Sequence, residues 1–179
     1  MNFTPNTADI WHTTIFGLPA LQAWQDFMLW EIFLNEHPAK GMLEIGTWNG
    51  GTSLYLALQS QQRGIDFHTL DWQKYASFAS PLMFPVEKVF LHRDVWLEPT
   101  KAEIKQLTRV RPFILFCDGG NKPKEFQTFG PMLAKGDYLA VHDYGNEFTL
   151  PDIGEVKVEF VMQEACENLK SLTRFFVRV

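Results

Sequence analysis

Residues 41–53 read GMLEIGTWNGGTS. GMLEIG, residues 41–46, is a short apolar strand, and the chain is helical in pattern from Thr52 to Gln62, so Gly46, Gly50 and Gly51 fall in the turn between a strand and a helix. Glycine there permits positive φ and lets the backbone approach a ligand that a β-carbon would exclude. The start of the following helix adds unpaired N–H groups and the positive end of the helix dipole, which hold a carboxylate as well as a phosphate. The spacing is G-x-x-x-G-G, not the G-x-G-x-x-G of a pyrophosphate loop, and this favours a ligand with an amino-acid tail over a dinucleotide. A tight strand-to-helix turn also needs glycine for its own geometry, so the loop has to be read with what surrounds it.

Outward from this loop, four more apolar segments alternate with helical patterns: IDFHTLDW at 65–72, KVFLHRDVW at 88–96, RPFILFCDGG with its unbroken apolar run from Phe113 to Cys117, and DYLAVHDYG at 137–145. That alternation predicts a parallel sheet, and strands apolar on both faces suit a sheet covered by helices on each side. Helices are predicted over 19–35, 52–62, 98–109 and 123–134. The first opens at Pro19 and carries Leu21, Trp24, Met28 and Ile32 on one stripe, with Phe27, Trp30 and Leu34 on its neighbour; so wide a face fits deep burial or a partner surface. Residues 155–169 show both periods, and the longer pattern through Val158, Val161, Met162, Ala165 and Leu169 favours a helix. SLTRFFVRV, 171–179, reads as the last strand. The expected fold is α/β: one domain over residues 1–179, a Rossmann-like, doubly wound, mostly parallel sheet flanked by helices and abbreviated at its C-terminal end.

Composition narrows the function. A chain of 179 residues, 46% hydrophobic and 21% charged, suits a single globular domain. A formal net charge of -5 without a basic run argues against nucleic acid, and Lys101, Lys105, Arg109 and Arg111 read as a solvated face. Cys117 and Cys166 are far apart and form no CxxC pair, which argues against a zinc site or disulfide framework and fits a reducing compartment. The first residues have no signal-peptide pattern, and no run approaches the ~20 apolar residues of a membrane span. A cytoplasmic protein with no membrane contact is expected.

Acidic residues close the first three strands. Asp71, in Leu70-Asp71-Trp72, either accepts the hydroxyls of a ribose or caps the next segment; Asp94 either meets an adenine amino group or is a turn aspartate. With Glu44 and the glycine turn after the first strand, they favour an adenosyl ligand at the carboxyl ends of the strands.

The order EIGxxxGG, Asp71, Asp94 and a CDG-containing fourth strand resembles class I S-adenosylmethionine (SAM)-dependent methyltransferases, over residues 17–170. More narrowly, residues 17–53 resemble the cephalosporin hydroxylase group and related metal-dependent small-molecule O-methyltransferases, with matches at Gly17, Pro19, Gln22, Glu44, Gly46, Gly50 and Gly51. The resemblance implies that Glu44, Gly46, Thr47, Trp48, Gly50, Gly51 and Thr52 hold the methionine part of SAM. It implies Asp71 at the ribose, Asp94 or its neighbours at the adenine, and Trp72 and Asp118 among the other cofactor-binding residues. The hydroxylase name attached to a methyltransferase fold leaves the reaction type open.

Asp118 and Asp143 close the fourth and fifth strands and should converge beside the reacting methyl group. Two facing carboxylates repel, which raises one pKa or calls for a cation such as Mg²⁺; alternatively the pair caps loops or orients SAM. The resembled families place a third oxygen ligand beside the second aspartate, whereas here Asp143 is flanked by His142 and Tyr144 and Asp118 is followed by Gly119, Gly120 and Asn121, so the third ligand is unassigned. For the general base the candidates are Lys122, with Lys124 behind it, and His142, which strand alternation would turn away from Asp143. Residues 1–18, with Trp11, His12 and Phe16, form a candidate lid; the alternatives are docking on the sheet edge and crossing to a second subunit. The expected function is SAM-dependent methylation of a hydroxyl on a small molecule, a sugar or secondary metabolite, with Mg²⁺ assistance. The alternatives are a non-catalytic SAM-binding partner or sensor and a hydroxylase-type relative. Substrate choice is expected from the N-terminal segment and from 73–87 and 144–154, and helix 19–35 offers a surface for a homo-oligomer.

Overall fold

The computed structural model describes residues 13–179. A small antiparallel hairpin, β1 (Thr14–Ile15) and β2 (Leu18–Pro19), leads into helix α1 (Trp24–Glu36). The main sheet is built from β3 (Gly41–Ile45), β4 (Asp66–Asp71), β5 (Phe90–His92), β6 (Phe113–Cys117), β7 (Tyr138–Val141), β8 (Val158–Val161) and β9 (Arg174–Arg178). Between these strands run α2 (Gly51–Arg63), the short α3 (Phe84–Glu87), α4 (Glu98–Leu107), α5 (Lys122–Phe129) and α6 (Gln163–Asn168). The strand order is β5-β4-β3-β6-β7-β9-β8. The first five strands are mutually parallel and β9 runs antiparallel between β7 and β8. The chain reverses its direction of winding between β3 and β6, and the carboxyl ends of strands at such a point form a crevice.

The unbroken apolar run of β6 follows from this layering. Phe113, Leu115 and Cys117 enter one core layer with Ile104 of α4 and Phe126 and Phe129 of α5. Ile114 and Phe116 enter the other, with Leu29, Trp30 and Phe33 of α1, Leu56 and Ala57 of α2 and Cys166 of α6. Successive side chains of a strand point to opposite faces, so a central strand covered on both sides is apolar at every position.

Three expectations change. Helix 19–35 starts later, at Trp24, because Pro19 pairs with Thr14 in the hairpin; the N–H of Ala23 donates to the Asp26 carboxylate at the new start. Its second stripe is the buried one: Phe27, Trp30 and Leu34 face the core, whereas Trp24 and Met28 are exposed. Residues 155–169 are not one helix. Val158–Val161 form β8, and α6 begins only after Met162, whose φ of 58° breaks the chain between them. Among the described residues the main sheet therefore has seven strands, one more than the six read from the sequence. The third strand shrinks from 88–96 to the three residues of β5, an edge strand with a single neighbour. Trp11 and His12 of the candidate lid lie outside the described residues. The hairpin that follows them packs on the start of α2, and Leu18 joins Leu54, Phe78, Met83 and Val86 in a third apolar cluster.

Candidate active site

The turn after β3 is shaped by two close approaches. Gly46 has φ 99°, and a β-carbon on it would lie 2.4 Å from the carbonyl oxygen of Asp118. Gly51 is pressed against the hairpin, where a β-carbon would lie 2.4 Å from the carbonyl oxygen of Pro19. These glycines draw the turn, the end of β6 and the hairpin together around one cleft. The residue before helix α2, Gly50, is left-handed and offers no side-chain cap, so the N–H groups of the first turn remain available to a ligand.

The cleft has a volume of about 970 Å³ and lies at the carboxyl ends of β3, β4, β6 and β7. Gly46, Thr47, Trp48, Gly50, Gly51 and Thr52 line it, as do Asp71, Trp72, Asp94, Asp118, Lys122, His142 and Asp143. Trp48 forms part of the wall. The hairpin borders the opening through Pro19, Ala20 and Leu21.

Glu44, predicted to hold the cofactor, does not reach the cleft. It is fully buried beneath the loop, accepting hydrogen bonds from the hydroxyls of Ser53 and Thr69. Burial pushes its carboxyl up to about 8, so it is a neutral structural acid at physiological pH. Asp71 does face the cleft, yet it spends much of its capacity on the loop. One oxygen accepts from the backbone N–H of Thr47 (3.1 Å) and Trp48 (2.9 Å), and the other from Gln73 N–H (3.0 Å). Of about four lone-pair positions on a carboxylate, one is left for a ligand. Asp94 closes a turn through Trp96 N–H (2.9 Å) and is otherwise exposed, as is the indole of Trp72.

At the other end of the cleft the two predicted aspartates converge. His142 Nδ1 lies 3.3 Å from Asp118 Oδ1 and 3.3 Å from Asp143 Oδ2. Strand alternation predicts that His142 points away, and it does not. Strand β7 ends at Val141, and Asp143 adopts φ 58°, so the backbone turns and both side chains face the cleft. Lys122, from the first turn of α5, lies 2.9 Å from Asp143, 2.8 Å from Glu147 and 3.9 Å from Asp118. Lys124 is not in the cluster; its ammonium sits 4.0 Å over the Trp96 ring.

These ion pairs decide protonation. Burial disfavours the Lys122 ammonium, but Asp118, Glu147 and Asp143 outweigh it and raise its pKa above the ordinary lysine value. A lysine acting as general base needs a lowered pKa, whereas the carboxylates around Lys122 favour its ammonium form. His142 behaves similarly. Burial opposes its charge, and Asp118, Asp143 and Asp26 raise its pKa well above the usual imidazole range. Asp143 is correspondingly lowered, the effect of burial being exceeded by His142 and Lys122.

Sequence reasoning missed four supporting residues. Gln22 donates from Nε2 to Asp118 (2.8 Å), orienting that carboxylate from the hairpin side. Asp26, fully buried, stands behind His142 with 3.8 Å between its Oδ2 and Nε2. Glu147 is the exposed partner of Lys122. Glu125, buried and pushed up to about 7 by that burial, accepts from Gly119 and Asn121 N–H and holds the loop after β6. Only Gln22 carried a signal, as part of the G-x-P-x-x-Q match. The others are acids in segments whose burial depends on long-range packing.

Asp118, His142 and Asp143 offer three donor atoms within 4.8 Å of one another. Two anionic oxygens and an imidazole nitrogen at that spacing fit a divalent cation. No protein-family profile matches the chain, and no curated protein matches it in sequence. Solved structures do match in fold. The apo form of CmcI superposes with a TM-score of 0.68 at 16% identity, covering 93% of this chain and 76% of that one. CmcI with Mg and SAM gives 0.66 at 17% identity, with the same two coverages. A Klebsiella pneumoniae protein assigned as an O-methyltransferase gives 0.52 at 16% identity, over 90% of this chain and 84% of that one. The chain thus has the Rossmann-like fold of these proteins, with its cleft at the carboxyl ends of the parallel strands.

Proposed function

We propose that the protein binds SAM in the cleft beside β3 and transfers its methyl group to a hydroxyl of a small molecule, with a divalent ion at Asp118 and Asp143. The observation that carries this reading is the turn after β3. It is glycine-shaped and backed by an uncapped helix start, and Asp71 fixes it from the next strand. Binding of SAM with Mg is a property of CmcI, which has the same fold, and supports the reading.

In this reading the first turn of α2 would receive the amino-acid carboxylate, the remaining acceptor of Asp71 a ribose hydroxyl, and Asp94 with the neighbouring cleft residues the adenine. SAM would supply the electrophile: a C–O bond would form to the acceptor as the C–S bond breaks, S-adenosylhomocysteine would leave, and the proton of the acceptor hydroxyl would pass to solvent water. A bound divalent ion makes a coordinated hydroxyl more acidic. The protein's own residues then have positioning roles. Gln22 and Lys122 hold Asp118 and Asp143 in place, Glu125 fixes the loop after β6 that lines the cleft, and Lys122 offsets the negative charge of the cluster. Neither Lys122 nor His142 is a free base in this arrangement, so alignment and acidification of the acceptor carry the catalysis.

The test is calorimetric titration with SAM and with NADH, followed by a methyl-transfer screen over hydroxylated acceptors with divalent ion or EDTA present. SAM should bind and NADH should not. Turnover should require the ion, and Asp118→Ala should lower it by about 10²-fold or more. Absence of SAM binding would end the proposal.

A further inference from the structure

We infer that Asp118, Asp143 and His142 form a mixed oxygen–nitrogen site for a divalent transition ion, binding Mn²⁺ in preference to Mg²⁺, with His142 as third ligand and Asp26 as the carboxylate behind it. The use of that ion in methyl transfer rests on the function proposed above, whereas the site itself rests on side-chain geometry.

The spacing is that of neighbouring ligands on one ion. Donors bound at about 2.1 Å and separated by about 90–110° lie about 3.0–3.4 Å from each other. His142 Nδ1 is 3.3 Å from each carboxylate oxygen. An imidazolium held simply as an ion-pair partner would close to about 2.7–2.9 Å, as Lys122 does in the same cluster at 2.9 and 2.8 Å.

The far side of the ring points the same way. The His142 side chain is only 4% exposed, and among the described residues its Nε2 has no hydrogen-bond partner. Facing that nitrogen is Asp26, itself held by the N–H groups of Ala23 and Thr173 and the hydroxyl of Ser171. A metal-bound histidine characteristically directs its other ring nitrogen at a carboxylate, which fixes the ring and makes it a better ligand. Asp26 is anchored in α1 and to the turn before β9, so the imidazole is aimed from outside the cleft.

Donor chemistry then selects the ion. Mg²⁺ takes oxygen ligands almost exclusively, and an imidazole among them favours a first-row transition ion. Lys122 is the internal competitor, since its ammonium shares Asp143 Oδ2 with His142. An ion entering the site takes the place of the Nδ1 proton of His142, which is released to solvent, and displaces that ammonium toward Glu147, whose side chain is 61% exposed.

The experiment uses the full chain freed of metal by chelation. Mn²⁺ is titrated while the signal of free Mn²⁺ is followed by electron paramagnetic resonance, Mg²⁺ is added as competitor, and pulsed measurements read ¹⁴N coupling on the bound ion. The expected result is one Mn²⁺ per chain, displaced only by at least about tenfold more Mg²⁺, with ¹⁴N coupling from a directly bound imidazole. His142→Ala should abolish the coupling and weaken Mn²⁺ binding by about tenfold or more, and Lys122→Met should tighten it. Bound Mn²⁺ without ¹⁴N coupling, equal affinity for Mg²⁺, or no Mn²⁺ binding would each overturn the inference. The wild-type nitrogen signal decides even if His142→Ala does not fold. SAM calorimetry on the same sample separates the two proposals: SAM binding without Mn²⁺ binding removes this one and leaves the function standing.

Discussion

Gly46 illustrates how one residue ties strand, turn and site together. Its positive φ and its contact with the Asp118 backbone leave no room for a methyl group. Gly46→Ala should cost about 2–4 kcal/mol in chemical denaturation, from combined backbone strain and overpacking, and should weaken SAM binding as the turn shifts. Glu44 makes a different prediction. Its native carboxyl titrates at about 8 because it is buried, so between about pH 4.5 and pH 8 the native state keeps a proton that the unfolded chain has lost. Stability therefore falls as pH rises through that window and levels off above it; Glu125, at about 7, acts in the same direction. Glu44→Gln keeps the shape without the proton equilibrium. Denaturation midpoints measured at pH 5.5 and 8 should differ less in the variant than in the wild type, and an unchanged difference would show that Glu44 ionises freely in the fold.

Among the elements, α1 links the core to the site. Trp30 is fully buried, its ring centre 5.0 Å from that of Phe116 and 4.9 Å from that of Phe175. Four residues earlier, Asp26 binds the turn before β9 and faces His142. Trp30→Ala should destabilise the protein by about 3–5 kcal/mol through the cavity it leaves, readable as a lower denaturation midpoint. The helix pattern was legible in the sequence, but its buried stripe was not. Trp24 and Met28 are as apolar as Phe27 and Trp30, and only the position of the sheet decides which pair it covers. Likewise β8 was hidden in 155–169, where a two-residue and a longer period overlap. Pairing with β9 selects the strand, a contact that local pattern does not contain.

Across the whole molecule, the reversal of winding between β3 and β6 brings residues more than ninety positions apart into one cleft. Gln22 meets Asp118, and the hairpin packs against Gly51. A ligand that spans β3, β4 and β6 should stabilise the native state as a unit. At a hundredfold excess over its dissociation constant, SAM should add about 2.7 kcal/mol and raise the melting temperature by roughly 5–10 °C, whereas NADH should leave it unchanged. A scan of thermal unfolding with each ligand checks this, and an equal response to both would count against selectivity for the amino-acid tail.

The sequence alone determined the alternating α/β order, the glycine turn after the first strand of the main sheet and the strand-end acids Asp71, Asp94, Asp118 and Asp143. Each of these is a local pattern of hydrophobic period or turn chemistry. Only the tertiary structure decided that Glu44 lies beneath the cleft, that the carboxylates around Lys122 favour its ammonium form, and that His142 turns toward the aspartates with Asp26 at its back. Protonation and side-chain direction depend on burial and on charges brought in from distant segments, and on a left-handed residue at Asp143 that reverses strand alternation.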